Sequence, residues 1–344
     1  MEERKELLKK VLPVTYPMIT SYTQHAHLLS ILSNYGHTYP WIFSNYIQLY
    51  CNEDYKHNWG DFYFPFPYEL RPSDTCKWIF TQKIHREVVN YKWENIINFI
   101  VESISSNNYV HTMINYFYVP LSSRYNKVHL HHDILVYGFD LDEEVLYVSD
   151  FFIAGKYSYE KIKISDFIKA YSTYNLTTNP DYLNEMVYLY KFNPNFDYKF
   201  NIRNISNSIK CYLYSTTPEY WDSYNSDNRD DIVFGMDIYT TLKNYITRSK
   251  TICESNIDNR PFYMLYDHKR IMLLRLNYLY EHEYYKNYNS ENIIGFNKIE
   301  SQAKDVVNLI VKYNISKNNT ILDKVVDILS IIENNEKNIL KQYI

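Results

Sequence analysis

The stretch Val128–Phe152, VHLHHDILVYGFDLDEEVLYVSDFF, constrains the fold of this chain more than any other. Its runs of Ile, Leu, Val and Tyr carry a strand signal. Gly138-Phe139-Asp140 and Asp142-Glu143-Glu144 supply turn chemistry between the runs. The spacing predicts two neighbouring strands joined by an acidic turn. His132 stands at the entry of the first strand and Asp150 near the exit of the second. An Asp that orients a His is two thirds of a nucleophilic triad. Asp133 is adjacent to His132, but successive strand residues point to opposite faces, so Asp133 is expected on the other side.

The surrounding sequence predicts an α+β protein. Residues 1–200 mix short helices with strands, and residues 201–344 read as mostly helical, so two domains are expected with a boundary near 200. A core helix is expected over Thr23–Tyr35, closed by Gly36. A second, aromatic helix is expected over Pro40–Tyr50, with Pro at an allowed first position. A loop rich in Pro and aromatics covers Asn58–Asp74. A helix near Trp93–Ser105, strands near Val110–Val119 and Met186–Phe192, and a helix near Ser165–Tyr174 complete the first part. In the second part, Ile299, Ala303, Val306, Val307 and Ile310 recur at helical spacing, as do Val325, Ile328, Leu329 and Ile332. Both stripes are packing faces. Asp222–Asp231 is the most loop-like stretch.

Composition narrows the function. With 36 basic and 40 acidic residues the net charge is −4, and no global basic field points to nucleic acid. Six glycines and no Gly-rich phosphate loop argue against a nucleotide-binding enzyme. No cofactor is expected. Cys51, Cys76, Cys211 and Cys253 show no CxxC spacing, which suits a reducing, cytoplasmic setting. No signal-peptide pattern and no apolar run of membrane-spanning length occurs. The 39 tyrosines, with abundant Asn, Lys and Ile, read as coding bias. His129 and His131 form an HxH pair that can ligate zinc from one strand face, but no Cys or Glu set accompanies it, so no metal is assigned.

Three features together resemble the papain-like superfamily, and in it the branch of bacteriocin-processing peptidases and butirosin-type acyltransferases. They are SILSNYG at Ser30–Gly36, His132 followed by a strand and Tyr137-Gly138-Phe139-Asp140, and Tyr147-Val148-Ser149-Asp150. DDIVFGMDIYTTLKNYI from Asp230 and RPFYMLYDHKRIML from Arg260 look like the helical accessory half of such proteins. The resemblance implies a papain-like N-terminal half built from a core helix and an antiparallel sheet. It implies that His132 is the general base and Asp150 its orienter. The family places its nucleophilic cysteine about 13 residues before that glycine, at a helix N-terminus that lowers a thiol pKa and stabilises an oxyanion. Here that position is Thr23, with Gln24 and His25 following in the first turn. Thr23 reads as an N-cap, as a hydroxyl nucleophile (with Ser21 as its alternate) activated by His132, or as the product of a shifted alignment.

Two functions follow as expectations. One is acyl or aminoacyl transfer in specialised-metabolite assembly, on a carrier-protein thioester, with His132, Asp150 and Thr23 at the chemistry and Gln24 and His25 at the oxyanion. The other is an inactive, papain-like binding module for a peptide, a small molecule or a carrier protein. The basic residues of Arg260–Arg275 read either as a solvated helix face or as a dock for an acidic carrier.

Overall fold

The computed structural model describes residues 7–53, 60–63, 71–153, 155–173, 185–217, 232–252, 256–285 and 290–344. In chain order the elements are β1 (Lys9–Val11), α1 (Thr23–Leu32), α2 (Tyr39–Asn45), β2 (Gln48–Asn52), β3 (Gly60–Tyr63), α3 (Pro72–Thr75), β4 (Ile79–His85), α4 (Arg86–Lys92), α5 (Ile96–Ser105) and β5 (Tyr109–Asn115). They continue with β6 (His131–Asp140), β7 (Val145–Ile153), β8 (Lys156–Lys163), α6 (Ile164–Ser172), β9 (Met186–Phe192), α7 (Ile202–Leu213) and β10 (Ile232–Phe234). The last four are α8 (Ile238–Thr251), α9 (Arg260–Glu281), α10 (Ser290–Ser316) and α11 (Thr320–Leu340). The fold is α+β.

The chain divides into two compact units, Met1–Gly36 with Tyr68–Asp197, and His37–Pro67 with Tyr198–Ile344. The first unit is built on an antiparallel sheet ordered β4-β9-β5-β6-β7-β8, with β1 added to the far end of β6. The strand pair expected from Val128–Phe152 is β6 and β7, paired Leu135↔Ser149 and Asp140↔Val145. Ile134 to Asp140 are all buried, as in a strand covered on both faces. Gly138 is required here. A Cβ on it would lie 2.8 Å from the Lys10 carbonyl oxygen and 3.0 Å from Val11 Cα, where β1 crosses. Asn95 caps α5 by accepting from the Ile97 and Asn98 amides.

The second unit is mostly helical, with a small sheet ordered β10-β2-β3. α10 packs on α9 and α11, and α11 on α8. Both expected stripes are buried along their length, except that Ile328 is half-buried.

Three expectations need correction. Residues 37–67 were expected with the first 200 but belong to the second unit. The reason is hydrogen bonding: the α2 end leaves carbonyls open, and buried Arg275 of α9 donates to Phe43 O at 2.5 Å and Tyr46 O at 2.6 Å. The helix expected over Pro40–Tyr50 stops at Asn45, because Gln48–Asn52 pairs with both β3 and β10. The charged face expected on α9 is largely internal, with Arg270 half-buried and Arg260 exposed at the helix start. Asp267, His268, Lys269 and Arg275 are all fully buried, so these four contribute no solvated or docking face. Asp222–Asp231, Cys253 and parts of the Asn58–Asp74 loop lie outside the described residues.

The Lys269 ammonium reaches Glu336 Oε1 and Oε2 at 2.7 Å, Tyr212 OH at 2.9 Å and His268 Nδ1 at 2.9 Å. Burial pulls its pKa down to about 8 against the opposing pull of Glu336. Breaking such a pair leaves one buried charge alone. Lys269→Met is therefore expected to cost about 3–5 kcal/mol, and the joint change Lys269→Met with Glu336→Leu to recover most of it. Urea unfolding of the three proteins checks this, and equal losses in the single and double variants would contradict it.

Candidate functional site

β6 opens with two side chains on opposite faces, and each gathers its own partners. His132 is the first. Its Nδ1 lies 2.7 Å from Asp150 Oδ2 on β7 and 3.2 Å from the Asp133 carbonyl oxygen. Both of these are acceptors, so Nδ1 carries a proton and Nε2 is the nitrogen that titrates. The His132 side chain is 32% exposed, whereas that of Asp150 is 0% exposed. Tyr116, just after β5, donates its hydroxyl to the same Asp150 oxygen and lays its ring 5.0 Å from the His132 ring. Asp150 Oδ1 is buried with no hydrogen-bond partner among the described residues. Burial pushes the His132 pKa down, but the Asp150 carboxylate overrides it and raises the value to about 9. The Tyr116 phenol is pushed well up by burial and by the Asp150 charge. At neutral pH this face presents an imidazolium whose Nε2–H points away from its carboxylate.

Asp133 is the second; itself half-buried, it anchors a network that runs into the interior. His111 Nε2 lies 2.7 Å from Asp133 Oδ1, and Arg71 reaches the same oxygen at 3.3 Å and 3.4 Å. Thr23, at the start of α1, donates its hydroxyl to Asp133 Oδ2 at 3.0 Å. Tyr190 OH lies 2.8 Å from His111 Nδ1, and the Arg71 guanidinium sits 4.7 Å over the Tyr188 ring. Burial opposes ionisation of Asp133, yet Arg71 and His111 outweigh it and hold the carboxyl well below its usual range. Burial lowers the His111 pKa more than Asp133 raises it, so His111 is neutral, donating through Nε2 and accepting at Nδ1.

The two sets lie on different faces of the sheet. Thr23 meets Asp133, and His27 of α1 meets Tyr157 OH at 2.8 Å, which in turn meets Ser149 Oγ at 2.9 Å. α1 therefore covers the face carrying Asp133, Leu135 and Ser149. His132 and Asp150 each follow or precede one of these by a single residue, so they occupy the other face.

The structure thus brings His132 and Asp150 together and does not bring Thr23 to them. Thr23 is the first residue of α1, and Tyr22, not Thr23, holds the N-cap position, without a side-chain bond to the helix. Gln24 is half-buried and His25 fully buried in that first turn. His129 pairs with Asn115 at 2.9 Å and stacks on Phe117 at 4.2 Å. Among the described residues no three His, Cys, Asp or Glu side chains form a metal-ligating group, and no helix is long and apolar enough to cross a membrane. Cys51 and Cys76 are free and buried, with thiols pushed up to about 12 by burial.

Four residues of this region escaped the sequence reading: Arg71, His111, Tyr116 and Tyr190. Only His111 left a signal, as the single imidazole inside the mostly apolar run Tyr109–Ile114. No family model and no curated protein matches this chain.

The raised His132 pKa has a sign that can be checked. The unfolded imidazole releases its proton near 6.5 and the folded one near 9. The contribution of the pair to stability is fully present below pH 6.5 and is lost as pH rises through 9. The stability advantage over His132→Gln is expected to hold at acid pH and shrink across that window. Urea midpoints of both proteins from pH 6 to pH 9.5 measure it, and an advantage that grows with pH would contradict the ion pair.

Proposed function

We propose that the sheet-bearing unit is a papain-like scaffold that binds and does not form a covalent intermediate. It holds a peptide, a small molecule or a carrier-borne acyl group against His132. The observation that carries this reading is the Thr23–Asp133 hydrogen bond. A threonine hydroxyl needs a base close to neutral pKa to become a nucleophile. Its partner here is a carboxylate held well below the usual range, which is too weak a base to take the proton. His132 lies on the other face of β6 and cannot substitute for it.

A second reading, acyl transfer without a covalent intermediate, is favoured by the 2.7 Å His132–Asp150 contact and the outward Nε2. Magnitudes weigh against it. General-base help is worth roughly 10²–10⁴-fold. With a pKa of about 9, roughly one His132 in a hundred is neutral at pH 7, which cancels about 10² of that gain. What remains is a hydrogen-bond donor with a positive charge, suited to a carboxylate, a phosphate or a polarised carbonyl oxygen.

Thr23→Cys tests the proposal directly. Alkylation of that thiol by iodoacetamide, followed by peptide mass spectrometry at neutral pH, is expected to run within about threefold of free cysteine. Adding His132→Ala is expected to leave the rate unchanged. A thiol alkylated about tenfold faster than free cysteine, and slowed by His132→Ala, would restore the nucleophilic triad and overturn the binding reading.

A further inference from the structure

The segment leading into His132 exposes cations that no nearby carboxylate among the described residues neutralises. No Asp or Glu occurs between Glu102 and Asp133, a property the chain shares with residues 7–52. Residues 123–130 are all exposed. They include Arg124 and Lys127, neither of which has a carboxylate partner among the described residues; Lys127 Nζ bonds only the Ser123 carbonyl, at 3.3 Å. Lys169 of α6 adds a third exposed cation beside the segment, 4.7 Å over the Tyr118 ring. Between the cations stand apolar side chains, with Tyr125 39% exposed, Val128 49% and Leu130 38%. The segment is held in one shape. Asn126 adopts a left-handed turn and its amide donates to the Phe117 carbonyl at 2.9 Å, Val128 N donates to Arg124 O at 3.2 Å, and His129 stacks on Phe117.

We propose that residues 117–130 form a docking surface for an acidic, partly apolar peptide segment of a partner protein, which delivers its ligand to His132 two residues further on. This rests on the binding reading of the His132 face. Three local cations against a net charge of −4 give the complementarity, and a preformed loop avoids the ordering cost of binding. A lipid surface is the weaker occupant. Each exposed cation gains about 1 kcal/mol at an anionic leaflet, so three fall short of the larger clusters that bind such membranes.

The test is fluorescence anisotropy with a rhodamine-labelled decapeptide of alternating Glu and Leu, in about 20 mM salt, where screening is weak. The joint change Arg124→Glu with Lys127→Glu is expected to weaken binding at least about tenfold. Reversing two exposed lysines of the other unit, Lys312→Glu with Lys324→Glu, is expected to leave it unchanged. Equal effects of the two pairs, or none from either, would overturn the proposal. So would selective capture of phosphatidylserine-containing vesicles or of a single-stranded DNA oligonucleotide in place of the peptide. Thr23→Cys alkylation does not involve the loop, so failure of the dock and failure of the binding reading give different results.

Discussion

The half-buried Asp133 carboxylate is the interaction on which the first unit depends. It draws together Thr23 from α1, Arg71 from the entry to α3 and His111 from β5, three chain segments far apart in sequence. Losing it would strand the Arg71 guanidinium, which is 7% exposed and has no other carboxylate among the described residues. The network also fixes register. Strand side chains alternate with period two, so a slip of one residue would exchange the contents of the two faces. With Asp133 directed to α1, His132 must face away from it. The separation of Thr23 from His132 is thus a consequence of how the network is seated.

The second unit solves a similar problem with a different purpose. Lys269 with Glu336, and Arg275 with the carbonyls of Phe43 and Tyr46, place three charges in its interior. Each bonds to several partners, and each joins elements distant in sequence. Such groups add little net stability over an apolar core, but they make wrong pairings costly. They tie α2 and β2 to a helix more than 200 residues downstream.

The parts of the fold legible in the sequence were those governed by local pattern. β6, β7 and β9, the α1 and α5 helices and the stripes on α10 and α11 follow from periodicity, but Gly36 does not close α1, which ends at Leu32 with Ser33 as its C-cap. The parts that failed were governed by long-range pairing. Gln48–Asn52 carries enough aromatic and aliphatic character to pass as the end of a helix, and only its partners at Ile232–Phe234 and Gly60–Tyr63 make it a strand. Lys269 and Arg275 read as surface residues because nothing local announces a buried counter-charge at Glu336. At the site, strand pairing made the His132–Asp150 contact predictable. Thr23 could be placed on its helix from sequence, but not against Asp133, since that depends on Arg71 arriving from a loop without regular pattern.

The Thr23 hydroxyl is committed to Asp133 and separated from His132 by the β6 backbone. A crystal structure of the protein at atomic resolution tests it most directly. Thr23 Oγ1 is expected about 3 Å from Asp133 Oδ2, with His132 Nε2 on the far side of the sheet and open to solvent. Thr23 Oγ1 within about 3.5 Å of His132 Nε2, with Asp133 turned away, would contradict it and return the site to nucleophilic chemistry.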